Sequence, residues 1–452
     1  MGGHKMTVAM GMTAEMVEGE IDAGAARRAK GFSSGLRSSS RRVSRQILAA
    51  TAAVVALAAS SAVLADESGG SPAERGAYLA TAGNCTSCHT REGGEAFSGG
   101  LAFTTPFGTM YSTNITPDPD TGIGKWTEEQ FARAFREGVR PNGEHLYPAF
   151  PYTAFTNTSD ADVAALYAYL KTLTPVSYTA PANELKFPYN QRWALGIWKA
   201  MYFKDGRYTP DKTQSDEWNR GAYLVKGLGH CGACHTPRNF LGAEDDSRAF
   251  HGGVYQDKIE DKLLDWAAPD LTSAGHGLKQ WSVDELAGYL KEGYSDRAGV
   301  FGPMNEVVVN STSHLSPEDA KAVAVYLKSL PASPPPSVSA PDEETLHAGS
   351  LQYDIHCGTC HLPTGLGSHD TGPALVGSVV ALAPDPASLI NITLYGAQLP
   401  AAEQWRSKKW KVMEAYGENL TDEDAAALLT YVRNAWGNVG SKVTAEQIAK
   451  HR

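Results

Sequence analysis

The sequence predicts an all-α protein made of three tandem copies of one helical domain. First, a segment containing Cys-x-x-Cys-His occurs three times, within 74–90, 219–236 and 347–362. Second, an amphipathic helical pattern that begins with Ser or Thr ends each copy. Third, 452 residues exceed what one ordinary hydrophobic core organises, so several domains are expected.

The first 65 residues have the pattern of an export signal. A basic, Ser-rich run precedes an uncharged apolar run over 47–65, and Val63 and Ala65 occupy the small-residue positions of a cleavage site. An uncleaved anchor is the alternative, because an apolar run of this length could span a bilayer. We therefore expect the body of the chain, from about Asp66, in the periplasm, either free or attached to the cell membrane.

The body of the chain is acidic. Without residues 1–65 it has 32 Lys and Arg against 46 Asp and Glu, a formal charge of −14. This balance argues against nucleic acid as a partner and against direct adhesion to anionic lipid. It suits a basic patch on a partner protein.

The first element of each copy is the repeated segment itself. ERGAYLATAGNCTSCHT and NRGAYLVKGLGHCGACHT are nearly superimposable, and HAGSLQYDIHCGTCHL is a weaker third version. A second helix is predicted over 125–138 and 280–293, where Thr or Ser is the N-cap and acids fill the first turn. The segment 385–396 is its shorter third version.

The last helix of each copy is predicted over 159–173, 316–330 and 421–436. Its N-caps and the acids three residues further on resemble a capping box with Asp in place of Glu: Ser159 with Asp162, Ser316 with Asp319, and Thr421 with Asp424. Apolar residues at i, i+3, i+4 and i+7 predict one buried face on each helix.

These elements divide the chain into seven parts. They are an export signal (1–65), domain 1 (66–175), a connector (176–214), domain 2 (215–330), a Pro/Ser linker (331–342), domain 3 (343–440) and a tail (441–452). The connector is rich in aromatic residues and predicts a helix packed across a domain boundary. The linker predicts a semi-rigid, extended spacer.

The three pentapeptides use every cysteine of the chain. Disulfides, a zinc site and a redox dithiol are alternatives, but none of them needs two thiols followed at once by an imidazole. Covalent haem attachment needs all three groups, because two thiols add to the vinyl groups and the histidine binds the iron. The sequence therefore predicts three covalently bound haems c. The attachment residues are Cys85, Cys88, Cys231, Cys234, Cys357 and Cys360, and the proximal ligands are His89, His235 and His361.

A sixth iron ligand is expected before the last helix of each copy. Met304 and Met413 occupy matching positions in copies two and three, and a thioether ligand raises the reduction potential. Copy one has Phe150 near that place. Three hypotheses stand there: ligation by His145, ligation by Met110, or an open position.

A main-chain carbonyl is expected to hold each proximal histidine. Pro269 and Pro373 precede the apolar residue of a short segment in copies two and three, and their carbonyls are well placed to accept from Nδ1–H. Copy one has Thr113 at this position.

The chain resembles the three-haem cytochrome c subunit of membrane-associated periplasmic dehydrogenases. Four stretches carry the resemblance: 113–140, 146–155, 219–239 and 420–438. The family serves alcohol, gluconate and sorbitol dehydrogenases, and close relatives accompany molybdenum hydroxylases. The sequence PAFPY at 148–152 is similar to the molybdenum-associated form, whereas the alcohol dehydrogenase form has PAMPY.

The resemblance implies three tandem class I cytochrome c domains in an electron-transfer subunit. The chain would pass electrons from a molybdenum, flavin or quinoprotein catalytic subunit to ubiquinone or a terminal oxidase, with peripheral membrane association open. We see no catalytic constellation of its own in the sequence, so the partner is expected to carry the substrate chemistry. The rival hypotheses are a peroxidase-like enzyme that uses haem 1 and a free periplasmic shuttle.

Overall fold

The computed structural model describes residues 70–259, 262–397, 410 and 412–452. The predicted export signal lies outside these residues. The described part is mostly helical and contains three helical repeats in chain order. Within it, every helix is too short or too polar to cross a lipid bilayer.

The first repeat and the connector contain six helices and three strands. In chain order they are α1 (Pro72–Ala82), α2 (Cys85–His89), β1 (Ala102–Thr105), β2 (Gly108–Tyr111), α3 (Glu128–Glu137), α4 (Tyr152–Phe155), α5 (Asp160–Thr172), β3 (Glu184–Leu185) and α6 (Ala194–Tyr202). The predicted connector helix is α6. It contacts both neighbouring repeats, because the Trp198 ring packs on Tyr152 and its Nε1 donates to the Leu241 carbonyl at 3.0 Å.

The second repeat has the same order of helices as the first, whereas the third has no described helix just before its last repeated helix and adds one at its end. The second has α7 (Asp216–Lys226), α8 (Gly232–His235), β4 (Gly253–Ile259), β5 (Lys262–Ala268), α9 (Val283–Glu292), α10 (Met304–Asn310) and α11 (Pro317–Ser329). The third has α12 (Glu343–His356), α13 (Gly358–His361), α14 (Ala387–Tyr395), α15 (Asp422–Val432) and α16 (Ala445–His451).

The prediction of an all-α fold needs a correction, because the described residues include five strands. Strands β1, β2 and β3 form an antiparallel sheet in that order, and β4 pairs with β5 as a separate antiparallel pair. The sequence AFTTPFGTMY gives β1 and β2 only four residues each around a turn. Runs this short carry too little periodicity to stand out from loop sequence.

The first and last helices of every repeat cross at a glycine. A Cβ added at Gly76 in α1 would lie 2.0 Å from the carbonyl oxygen of Ala165 in α5, and one at Gly221 would lie 1.9 Å from that of Ala322. In the third repeat, a Cβ added at Gly349 would lie 2.2 Å from the carbonyl oxygen of Ala427. The helices therefore touch backbone to backbone, which a side chain would prevent.

The N-caps of α5, α11 and α15 are confirmed. The hydroxyls of Ser159, Ser316 and Thr421 accept from the backbone N–H three residues further on, at 3.1–3.2 Å. The reciprocal half of the predicted capping box is wrong in all three repeats. The carboxylates of Asp162 and Asp319 each bind an arginine and a tyrosine instead. The carboxylate of Asp424 accepts from the Thr421 hydroxyl and from the Gln352 side chain.

Those tyrosines join the first two repeats reciprocally. The Tyr78 hydroxyl in α1 donates to Asp319 at 2.5 Å and accepts from the Ser316 N–H at 3.2 Å. The Tyr223 hydroxyl in α7 donates to Asp162 and accepts from the N–H of the first repeat's N-cap at 3.1 Å.

The third repeat is attached through β5. The Ser388 hydroxyl donates to the Ala267 carbonyl at 2.9 Å, and the Asn391 side chain donates to the Asp265 carbonyl at 2.8 Å. The 331–342 linker has no helix or strand. Its N-terminal end is held against the second repeat by a hydrogen bond. Its buried Ser333 donates to the carboxylate of Asp270.

Each repeat has its own hydrophobic core. The first, middle and last helices of the repeat contribute the buried side chains. Representative buried residues are Leu79, Phe135 and Leu166 in the first core, Leu224, Leu286 and Leu327 in the second, and Tyr353, Leu389 and Leu428 in the third. The first cysteine of each pentapeptide packs against the core of its own repeat.

Candidate functional site

Every Cys-x-x-Cys-His pentapeptide forms one turn of helix after the first helix of its repeat. These turns are α2, α8 and α13, and the histidine ends each of them. The chain enters the first two turns through a left-handed residue, Asn84 with φ 53° and His230 with φ 36°. This sharp entry places each short helix at an angle to the long helix before it.

A main-chain carbonyl holds each predicted proximal histidine. The Nδ1 of His89 lies 2.7 Å from the Thr113 oxygen, and those of His235 and His361 lie 2.8 Å from the oxygens of Pro269 and Pro373. Since a carbonyl only accepts, Nδ1 carries the proton and Nε2 keeps its lone pair. The bond to Thr113 shows that proline is not required.

The three imidazoles are held in the neutral form. Burial lowers the pKa of His89, His235 and His361 below the ordinary value, and the bond to the carbonyl only partly opposes this. A neutral imidazole with a free Nε2 is the form that binds iron.

The cysteines fit covalent attachment better than the alternatives. All six thiols are free, so none of the pentapeptides forms a disulfide. Burial raises the pKa of Cys85, Cys231 and Cys357 to about 12, which keeps these thiols protonated. Within the described ranges, no three His, Cys, Asp or Glu side chains are grouped to hold a metal ion, which disfavours zinc.

The two predicted methionine ligands lie in different surroundings. Met304 begins α10 and packs against the same core as Cys231, so these two predicted haem contacts border one core. Met413 is half-buried just before α15, and its carbonyl accepts from the Ala397 N–H at 3.0 Å.

The structure separates the three residues considered for the first site. Phe150 packs against the same core as Cys85, with its ring 5.2 Å from that of Phe155. Met110 lies in β2, opposite Phe103.

His145 faces the connector. Its Nε2 lies 3.5 Å from the point that a Cβ of Gly196 would occupy, and Arg192 donates to its carbonyl at 2.8 Å. Its buried Nδ1 has no hydrogen-bond partner among the described residues.

Known proteins are similar to most of this chain in sequence. The cytochrome c family model matches residues 73–174 and 346–436. The cytochrome c subunit of alcohol dehydrogenase (quinone) from Gluconobacter oxydans strain 621H is 39% identical over 393 residues, which cover 84% of this chain and 82% of that protein. This chain belongs to the family of cytochrome c subunits of dehydrogenases.

Two further relatives are similar over most of this cytochrome subunit. The gluconate 2-dehydrogenase cytochrome c subunit of Pantoea cypripedii is 38% identical over 403 residues, which are 86% of this chain and 91% of that protein. A nicotinate dehydrogenase subunit of Pseudomonas putida KT2440 is 43% identical over 389 residues, which are 82% of this chain. This chain spans only 31% of that relative's length. Family membership indicates covalently bound haem c and a role in electron transfer.

Two residues that the sequence did not single out shape the haem sites of this cytochrome subunit. Asn114 and Asp270 follow the carbonyl residues Thr113 and Pro269. The side-chain oxygen of Asn114 accepts from the backbone N–H two residues on at 2.9 Å, and that of Asp270 does so at 2.6 Å. Each turn fixes the direction of the carbonyl before it. Both segments share the sequence pattern Asn/Asp-x-Thr, and this pattern could have identified the two residues from the sequence.

The first pentapeptide turn contacts the second repeat. Asn310, at the end of α10, donates to the Ser87 hydroxyl within α2 at 2.8 Å. Burial, together with the Glu306 carboxyl and the Cys234 thiol of the second repeat, raises the pKa of Cys88 to about 11. The helix that begins with Met304 therefore contacts the first pentapeptide turn.

Proposed function

We propose that this cytochrome holds three haems c in three tandem class I cytochrome c domains and passes electrons from a dehydrogenase catalytic subunit to ubiquinone or a terminal oxidase in the periplasm. One observation carries the proposal. The same construction occurs three times: a Cys-x-x-Cys-His turn and a neutral imidazole whose Nδ1 is held by a main-chain carbonyl, which leaves the lone pair on Nε2. A family of electron-transfer subunits is the setting in which such a construction is used.

Each haem, when bound, supplies an iron that alternates between the ferric and ferrous states. The residues of the chain hold and tune it. The two cysteines of each turn attach the porphyrin, and the histidine presents Nε2 to the iron. Met304 and Met413 are the proposed sixth ligands of sites 2 and 3.

The catalytic partner is proposed to be a molybdenum hydroxylase, with flavin and quinoprotein dehydrogenases as the other classes. Two observations favour molybdenum: the PAFPY sequence around Phe150, and the 43% identity to the nicotinate dehydrogenase relative. A substrate of the aldehyde or N-heterocycle class follows from this choice.

Haem counting tests the proposal. The mature polypeptide, unfolded in acid, should exceed its amino-acid mass by three haems and retain Soret absorbance. The double variant Cys231→Ser/Cys234→Ser should carry two haems, and the double variant Cys357→Ser/Cys360→Ser should also carry two. A wild-type chain without covalent haem, or one whose haem count ignores these substitutions, contradicts the proposal. Rapid reduction of the haems by the co-purified catalytic subunit and its substrate tests the transfer itself.

A second candidate function concerns site 1 alone. An apolar ring at Phe150 stands where the other repeats have methionine, and this favours a haem iron that can bind small molecules. Such a site could turn over peroxide. Peroxide consumption by the purified chain, together with carbon monoxide binding at one haem, would support this candidate. Absence of both, with rapid reduction by a dehydrogenase, would eliminate it.

A further inference from the structure

The indole of Trp266 packs on the turn that leads into α10. This side chain lies in β5 and is 5% exposed. Its ring lies 6.1 Å from that of Phe301. A Cβ added at Gly302 would lie 2.3 Å from the same indole, so the ring lies directly against the backbone of the turn. Met304, the proposed sixth ligand of site 2, follows two residues later as the first residue of α10.

This turn is joined closely to the start of α10. Gly302 has φ 57°, in the left-handed region that a side chain disfavours, and its carbonyl accepts from the Asn305 N–H at 2.9 Å. Before the turn, the Val300 N–H donates to the Gly293 carbonyl at 2.8 Å and closes the base of the preceding loop. The turn and the first residues of α10 therefore form one unit, and a displacement of the turn moves the proposed ligand with it.

Strand β5 also leads to the opposite side of the same haem site. It ends one residue before Pro269, whose carbonyl lies 2.8 Å from Nδ1 of His235 and accepts its proton. Trp266 is only three residues before this carbonyl. One short segment therefore holds the proximal histidine through its backbone and the turn before the proposed sixth ligand through a side chain.

The third repeat holds both sides of the contact between the indole and the turn. The hydrogen bonds from α14 to the carbonyls on either side of Trp266 fix the strand. Tyr395 of α14 packs against the same cluster as the indole. On the side of the loop, a Cβ added at Gly299 would lie 3.4 Å from the Trp410 ring. The loop before Met304 in the second repeat is therefore held by residues of the third.

The matching strand of the first repeat has a different residue at this position. Met110 in β2 is three residues before Thr113, as Trp266 is three residues before Pro269. The first repeat also has Phe150 near the place where the second has its proposed methionine ligand. Of the two described hairpins, the indole therefore occurs in the one whose repeat carries that methionine.

We propose that Trp266 is a positioning residue for haem site 2, which holds the turn that presents Met304 and is itself held by the third repeat. The proposal rests on the proposed function, because it needs a haem at site 2 with Met304 as its sixth ligand. A thioether bound to the iron raises the reduction potential. Loss of the indole therefore lowers the potential of one haem, although the methionine is still present in the chain.

A double-mutant cycle on the haem-loaded full chain tests the proposal. The Nε1 of Trp266 has no hydrogen-bond partner among the described residues, so Trp266→Leu breaks no hydrogen bond there. This variant should keep three haems, lower the potential of one and let the reduced protein bind carbon monoxide at that haem. Trp266→Phe keeps an aromatic ring against the turn and should recover most of the wild-type potential. Adding Trp266→Leu to Met304→Leu should cause no further shift, because the indole acts through the thioether.

Two further variants separate positioning from general packing. The matched control is Trp218→Leu, whose indole also lies in the second repeat but packs on Tyr326 and donates to the Ser329 hydroxyl at 2.6 Å, both in α11. It should lower the urea midpoint of unfolding and leave all three potentials unchanged. Ser388→Ala removes one bond from the third repeat to β5. It should lower the same potential as Trp266→Leu, by a smaller amount.

Several outcomes would overturn the proposal. Unchanged potentials in Trp266→Leu with three haems loaded would do so, and so would an equal further shift in the Met304→Leu background. If Trp266→Leu does not load its haem, Gly302→Ala is measured instead, because its methyl group would displace the turn from the indole. A lowered potential of one haem in Gly302→Ala supports the proposal and an unchanged one rejects it. A wild-type chain without covalent haem rejects the proposed function, whereas three haems with unchanged potentials in these variants reject only the role of Trp266.

Discussion

The residues that fix each proximal histidine act through the backbone. A carbonyl cannot be removed by substitution, but the side chain that sets its direction can be replaced. At site 2 that side chain is Asp270, which is fully buried and accepts hydrogen bonds from Thr272 and Ser333. His276 lies 3.4 Å from the same carboxylate. Burial alone would raise the pKa of Asp270, but His276, Ser333 and Thr272 lower it to about 2.

The variant Asp270→Asn should lose a pH-dependent part of the stability. The folded pKa of about 2 lies below the unfolded value near 3.9, so ionisation stabilises the folded chain at neutral pH. That contribution, about 2–3 kcal/mol, disappears as the pH falls from about 4 to about 2. Urea unfolding at pH 7 and pH 3 should therefore show a smaller difference for Asp270→Asn than for wild type. The exposed control Asp370→Asn should keep the full difference.

Replacing a proposed sixth ligand should change one haem only. In Met304→Leu the iron of site 2 loses a thioether, so the potential of one haem should fall and the reduced protein should bind carbon monoxide there. Redox titration followed by absorbance measures both effects. Met201→Leu, on the exposed face of α6, is the control and should leave every potential unchanged. Unchanged potentials in Met304→Leu would remove this residue from the ligand set.

At the scale of elements, local sequence signals predicted where helices begin, but they did not predict which groups the charged side chains bind. The N-caps Ser159 and Ser316 follow from sequence because the partner N–H groups lie on the same helix. The carboxylate of Asp162 was assigned to the same cap, but it binds Arg75 from another helix and a tyrosine from another repeat. Contacts of this kind depend on how helices and repeats pack, which no local pattern encodes.

The glycines at which the first helix of each repeat crosses the facing helix are a second feature that the sequence pattern alone did not identify. The position is a glycine in all three repeats, yet the sequence gives no reason for it until the carbonyl of the facing helix is seen at about 2 Å from an added Cβ. The strands β4 and β5 were missed for another reason. Their sequences alternate charged and apolar residues irregularly, so neither the helical period nor the two-residue period of a strand dominates.

The variant Gly221→Ala should destabilise the second repeat. A methyl group cannot fit 1.9 Å from the Ala322 carbonyl, so α7 and α11 must separate, at a cost of about 1–3 kcal/mol or more. Gly288→Ala is the matched control, because nothing lies within 4 Å of its added Cβ inside α9. A helical Gly in open space gains about 0.5–1 kcal/mol on replacement by Ala. Chemical denaturation should show opposite signs for the two variants, and equal effects would contradict the close crossing.

At the scale of the molecule, the three repeats are not joined in the same way. The first two share a reciprocal pair of tyrosine contacts, whereas the third has Leu351 at the tyrosine position and Ala348 at the arginine position. Its acid, Asp424, binds Gln352 of its own repeat at 2.9 Å. The first two repeats therefore form a pair, and the third joins that pair through β5.

The reciprocal contacts should make the stabilities of the first two repeats depend on each other. In Tyr78→Phe the buried carboxylate of Asp319 keeps its bonds to Arg220 but loses the phenol, and the Ser316 N–H loses its acceptor. Unsatisfied buried groups cost about 1–3 kcal/mol, and Tyr223→Phe should have an effect of the same size. Leu351→Ala is the control at the matching position of the third repeat. Because this side chain is exposed, its loss should change the free energy of unfolding by less than about 0.5 kcal/mol. Denaturation followed by haem absorbance measures all three. If the Phe variants unfold at the same denaturant concentration as the control, the tyrosine contacts do not hold the pair together.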